Sequence, residues 1–131
     1  MSSDRFRHIG DEQVYRGHLW NVVIGDFEGP GGALFRRDIV RSPGAVGVVP
    51  IIGRGSEVDV VLLRQYRAPF DDHVIEIPAG MRDVSGEDPL ETAQRELMEE
   101  AGLRAGRLEA LHRFYPSPGM TDAILHLYLA T

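Results

Sequence analysis

The chain has 131 residues, 43% of them apolar, a formal net charge of −6 and no cysteine. That length suits one globular domain with enough Val, Ile and Leu for a core, and no long apolar run or cationic leader marks a membrane span or a secretory signal. Without cysteine, disulfides and thiolate metal sites are excluded, which suits a cytoplasmic protein, and an acidic chain with no basic block is not expected to bind nucleic acid.

In chain order, residues 1–41 are predicted to form an N-terminal β unit. Strands are expected over 14–24 and 33–40, separated by the turn-rich Glu28-Gly29-Pro30-Gly31-Gly32. No helix start or Lys-Ser/Thr follows those glycines, so they read as a turn rather than a phosphate cradle. Trp20 and Phe27 read as core aromatics of this unit. Residues 42–131 form the second region. Here 45–52 and 58–63 read as central, buried strands, and 73–77 as a third that runs into Pro78-Ala79-Gly80. A helix follows, with Asp88 as N-cap, Pro89 at its first position, Glu91 completing a capping box and Gly102 as the left-handed stop. Strands over 108–115 and 124–130 flank the loop Pro116-Ser117-Pro118-Gly119.

On a helical wheel Leu90, Ala93, Leu97 and Ala101 share one side, and Glu96, Glu99 and Glu100 share another roughly 110° away. For folding alone this is unfavourable. Like charges at i,i+4 repel by about 0.2–0.5 kcal/mol, and anions in the last turns oppose the helix dipole by roughly 0.3–1 kcal/mol each. Arg95, four residues from both Glu91 and Glu99, offsets a little. A solvated acidic face is the simpler reading of three glutamates, but a hard divalent cation would relieve the repulsion and bridge an acidic protein to phosphates.

The flanking residues decide between these. From Gly80 the chain runs Gly-x6-Glu87-x7-Arg95-Glu96-Leu97-x-Glu99-Glu100-x-Gly102-Leu103. This resembles the Nudix box, with one residue more than usual between the first Gly and Glu. The extra residue falls in the loop 81–86, where insertions are tolerated, and leaves the helix register intact. Outside the box, Arg64-Gln65-Tyr66-Arg67, Glu76-Ile77-Pro78-Ala79-Gly80 and Ser117-Pro118-Gly119 occur in the order that resembles the ADP-ribose pyrophosphatase branch.

The resemblance implies an α+β Nudix fold, a mixed sheet sandwiched between helices (α/β/α) with an N-terminal antiparallel β unit that joins a homodimer. It implies Mg2+, or Mn2+, held by Glu96 and Glu100 with Glu99 as a further ligand and the Ala79 carbonyl completing the site. These three glutamates form the implied catalytic set. Glu87 and Arg95 are expected to pair and fix the loop on the helix, with Gly80 and Gly102 structural. Implied substrate contacts are Arg37, Arg67, Glu76, Met81, Ser117 and Gly119. The Arg67 fork suits phosphate oxygens and Glu76 either positions it or accepts from a ribose hydroxyl, with a plain surface salt bridge as the equally open reading of both. Gly119, lacking a Cβ, allows close approach. Arg37 either reaches a partner's substrate or is an edge-strand charge.

The implied reaction is hydrolysis of the diphosphate of ADP-ribose to AMP and ribose 5-phosphate. Another nucleoside diphosphate derivative (NADH, a nucleotide sugar or a dinucleoside polyphosphate) is the alternative substrate, and a sensor that binds ADP-ribose without cleaving it is the alternative class. The general base of this branch is usually a Glu in a loop after the final strand. The natural protein is therefore expected to continue past Thr131, since an abruptly ending strand leaves a sheet face uncovered. The other reading is a complete fold with its base elsewhere. Ala123 stands where some relatives carry a Glu, which leaves contacts there open.

Overall fold

The structure, a computed structural model, describes residues 5–131, so the first four residues of the expected 1–41 unit lie outside the described residues. The chain divides into two compact units, one running to Ser42 and including Tyr115–Ala123, the other formed by Pro43–Phe114 and Ile124–Thr131.

In the first unit, β1 (Arg7–Arg16), β2 (Asn21–Glu28) and β3 (Leu34–Arg41) form an antiparallel sheet in the order β1-β2-β3. The single strand expected over 14–24 is in fact the end of one strand and the start of the next. Gly17 N–H donates to the Trp20 carbonyl at 2.8 Å and closes a turn that the apolar Leu19-Trp20 pair concealed. Phe27 stacks between His8 and Phe35, with ring centroids 4.9 and 5.4 Å away. Trp20, expected in the core, is instead 43% exposed. Residues 30–32 make one short 3-10 turn, as the glycine-rich connection requires. The loop Tyr115–Ala123 lies along β3, with Val40 N–H donating to the Met120 carbonyl at 2.8 Å and a parallel bridge between Val40 and Thr121.

The second unit contains β4 (Ala45–Arg54), β5 (Glu57–Val60), β6 (Leu63–Arg67), β7 (Asp72–Glu76), β8 (Ala79–Met81), α1 (Pro89–Ala101), β9 (Leu108–Phe114) and β10 (Leu125–Ala130). Its main sheet runs β5-β4-β10-β9, with β8 also on β4, and only the β10–β4 pairing is parallel. Val46 and Val48 of β4 are fully buried with Ala93 and Leu97 of α1 and with Tyr128 and Ala130 of β10. Segment 58–63, expected as a central strand, departs from that reading. β5 is an exposed edge strand, and the chain breaks before β6, which pairs only with β7. An apolar run at a sheet edge looks like a core strand until its neighbours are known. The Arg64–Arg67 motif therefore forms a strand of its own.

Helix α1 packs on β4, β8 and β10. It is the only α-helix among the described residues, so the second helical layer of the expected sandwich is not among them. The Asp88 carboxylate accepts from Leu90 N–H at 2.8 Å, and Gly102, at φ 65°, turns its N–H onto the Leu97 and Met98 carbonyls. The buried side is Thr92, Ala93 and Leu97, whereas Leu90 remains 45% exposed. The apolar stripe is thus rotated from the expected one, toward Glu96 and Glu100. The N-cap supplies a direct check: Asp88→Ala should lower unfolding free energy by about 1 kcal/mol in urea titration. An unchanged midpoint would contradict the cap's role.

Candidate metal centre

Rotation of the buried face brings two of the three glutamates against β8. A Cβ built on Gly80 would overlap the Glu96 carboxyl carbon, so with any other residue at position 80 the Glu96 side chain would have to move. One turn on, Glu100 Oε2 accepts the Ala79 N–H at 3.0 Å. Glu96 is only 12% exposed at its side chain, while Glu99 is 56% exposed. The three carboxylates expected to share one patch remain neighbours, with Glu99 on its exposed rim and joined to Glu96 through Arg95 Nη1. Wheel geometry fixes relative angles but not which arc meets the sheet.

Burial pushes the Glu96 carboxyl above its ordinary range; Arg95 opposes the shift, and the charges of Glu100 and Glu99 add to it. A carboxyl raised in this way favours folding when protonated and loses that contribution as pH rises through its folded pKa. At neutral pH, ionised Glu96 is a cost to the fold that a cation can offset.

Arg95 organises the other side. Its Nη2 and Nε donate to Glu87 at 2.9 and 3.2 Å, and its Nη1 reaches Glu96 Oε1 at 3.1 Å and Glu99 Oε2 at 3.3 Å. Arg95 and the Thr92 hydroxyl, 2.6 Å away, hold Glu87 below the usual carboxylate range, and Glu87 in turn raises Arg95. The loop 81–86 is thereby tied to the helix. It is not merely a permissive insertion: Arg82 N–H donates to the Gly44 carbonyl at 3.0 Å, and Arg82 Nε is buried without a hydrogen-bond partner. Met81 is half-buried in β8, opposite Ala45.

Among the described residues, no group of three or more His, Asp or Glu side chains is already gathered in a metal-holding geometry. Glu96 and Glu100 nevertheless supply oxygen donors at a glycine-lined approach, with the β8 backbone beside them. That set suits a hard divalent cation such as Mg2+ or Mn2+.

On β6 and β7, Arg67 and Glu76 form a two-pronged pair, Nε to Oε2 at 2.7 Å and Nη2 to Oε1 at 2.9 Å. Glu76 therefore positions Arg67 and keeps it charged, and the Glu100 charge contributes. A cavity of about 250 Å³ beside Glu100 is lined by Leu63, Arg64 and Gln65.

The remaining candidates belong to the first unit. Arg37 lies over the Phe35 ring, 4.9 Å from its centroid, and its Nη1 donates to the Arg36 carbonyl. Arg37 and Gly119 line one cavity of about 540 Å³ with Phe27, Phe35, Arg41 and Asp122. Ser117 is not among its lining residues; its carbonyl accepts the Met120 and Thr121 N–H groups. Trp20, left out of the candidate set, lines a separate apolar cavity of about 470 Å³ with Tyr15, Val22 and Val40. Its place at the end of a turn, visible only once Gly17 is recognised as a turn residue, was the missing signal.

Comparison with known proteins agrees with this architecture. The NUDIX domain family profile matches residues 41–131. The chain is 43% identical to a methanol dehydrogenase activator of Bacillus methanolicus, over 93% of this chain and 64% of that protein. It is 38% identical to an ADP-ribose pyrophosphatase of Bacillus subtilis (strain 168), over 99% of this chain and 68% of the relative. For an ADP-ribose pyrophosphatase of Mycobacterium tuberculosis the identity is 34%, over 100% and 62%. A crystal structure of an ADP compounds hydrolase matches with a TM-score of 0.81 at 26% identity, covering 96% of this chain and 66% of that one. The chain thus spans 62–68% of the length of these relatives. With the box register, the mixed sheet and the capped helix all in agreement, the chain belongs to the Nudix family.

Proposed function

We propose that the chain carries the catalytic region of a Mg2+-dependent (or Mn2+-dependent) hydrolase that splits the diphosphate of ADP-ribose into AMP and ribose 5-phosphate. The observation that carries this reading is the burial of Glu96 on Gly80 with Glu100 on the Ala79 N–H. Arg95 neutralises Glu96 from one side only, and burial still raises the carboxyl, so a cation held between the two glutamates would offset the remaining cost. The names of the Bacillus subtilis and Mycobacterium tuberculosis relatives support the substrate.

In this reading Glu96, Glu100 and Glu99, with the Ala79 backbone, hold the cation, which supplies charge neutralisation and Lewis acidity to the diphosphate. Arg67, locked by Glu76, presents a fixed charge to phosphate oxygens without ordering a free side chain. Glu87 and Arg95 keep the loop 81–86 on the helix, Gly80 admits Glu96 and Gly102 ends the helix. Arg37, Met81, Ser117 and Gly119 are the proposed substrate contacts. Residues 1–41 serve as a β unit joining a homodimer, and residues 42–131 as the catalytic domain. Reaction in the cytoplasm is part of the proposal; no helix among the described residues is long and apolar enough to cross a membrane. The second reading is a dinucleotide such as NADH as the substrate. Comparing kcat/KM on the two compounds separates them.

The direct test is AMP release from ADP-ribose with Mg2+. Glu100→Gln should lower kcat at least about 100-fold while the melting temperature is kept; wild-type turnover in that variant would contradict the assignment. The raised Glu96 carboxyl gives a pH signature, because its protonated form cannot hold a cation. Apparent Mg2+ affinity should therefore fall as pH drops, beginning above the range of an ordinary glutamate, and a flat profile between pH 5 and 8 would count against Glu96 as a ligand. Gly119→Ala is informative because its new Cβ meets nothing within 4 Å. Stability should be unchanged and KM raised several-fold, whereas an unaltered KM would remove Gly119 from the substrate contacts.

A further inference from the structure

The loop that carries Ser117 and Gly119 is fastened by side chains that the substrate reading leaves unused, all within the first unit. The Asp122 carboxylate accepts the Ser42 N–H at 2.9 Å through Oδ1 and Arg41 Nη1 at 3.4 Å through Oδ2. Arg41 is itself gripped from β1, its Nε and Nη2 donating to Asp11 Oδ2 at 3.1 and 2.8 Å, and Asp11 also meets His8 Nε2 at 2.7 Å. Arg41 thus spends its guanidinium on two carboxylates. Arg37, lining the same cavity, pairs with no carboxylate among the described residues and remains the cation open to a ligand. The loop's other ties are Val40 N–H to the Met120 carbonyl and Ala123 N–H to Thr121 Oγ1 at 3.2 Å. The turn itself is closed by the Ser117 carbonyl, which accepts the Met120 and Thr121 N–H groups, so what Asp122 adds is a link from that closed turn to the end of β3.

We propose that Asp122, clamped by Arg41 and the Ser42 N–H, is a positioning residue that anchors the turn from Ser117 to Thr121 to the end of β3 and so places Gly119 for the nucleotide. This rests on the substrate reading above. An isolated exposed ion pair contributes little, but here one carboxylate joins the end of β3 to the loop through two donors, and Arg41 is fixed from a second strand, β1. The consequence is geometric: a loop released by a fraction of an ångström loses ligand affinity before it loses fold.

The experiment pairs amide hydrogen exchange with steady-state kinetics on ADP-ribose and Mg2+, for wild type, Asp122→Ala and Asp122→Asn. In Asp122→Ala, exchange at Val40 and Thr121 should speed up and KM should rise, each about tenfold, as expected for one lost charge-assisted hydrogen bond. The kcat should stay within about twofold and the melting temperature within about 3 °C. Asp122→Asn keeps an acceptor for the Ser42 N–H and should fall between the two. Unchanged exchange and KM would overturn the proposal, as would a loss confined to kcat. If wild type fails to cleave ADP-ribose, the substrate reading falls, and the exchange result alone then decides whether Asp122 holds the loop.

Discussion

A carboxylate packed on a glycine is the constraint from which the rest of the second unit follows. Glu96 lies where a side chain on Gly80 would stand, so any other residue at position 80 would displace the Glu96 carboxylate from β8. That contact needs a helix held at both ends and a strand short enough to present backbone. The Asp88 cap, the Gly102 stop and the three-residue β8 supply them. Leu97 and Ala93, fully packed on Val46, Val48 and Tyr128, supply the apolar contact that keeps the helix down while its carboxylates are desolvated.

Electrostatics explains why the arrangement survives folding. Arg95 spans Glu87, Glu96 and Glu99, and Glu87 is anchored again by the fully buried Thr92 hydroxyl. Positive charge is thus available to Glu96 without a metal, but this one guanidinium serves four acids, Asp83 included. In the proposed metal centre, the remaining imbalance is what a divalent cation would offset. On β6 the same logic runs in reverse, with Arg67 satisfied by Glu76 and its outward charge directed by a rigid two-pronged bond.

The helix was the most legible element, because Asp88, Pro89 and Gly102 act locally through backbone hydrogen bonds that any context must satisfy. The box spacing likewise specified the Nudix fold, and the extra residue in 81–86 did not disturb it. What could not be read was orientation. Whether Leu90 or Thr92 faces the sheet depends on where β8 lies, and that is a tertiary fact; it decided that Glu99 stands on the rim while Glu96 and Glu100 turn inward. Val58 to Leu63 misled for a related reason, since apolarity does not distinguish an edge from a centre. The pairing of Arg67 with Glu76 was legible as an option, but Arg41 and Asp122 were not, because their partnership joins distant parts of the chain with no shared motif.

The central claim is that Glu96 and Glu100 form a divalent-cation site on the β8 backbone. Electron paramagnetic resonance titration with Mn2+ reads occupancy without depending on turnover or on the identity of the nucleotide. The account predicts saturable Mn2+ binding in the wild-type protein that Mg2+ displaces and that vanishes in Glu96→Gln combined with Glu100→Gln. Binding of the same affinity in the folded double variant would contradict it.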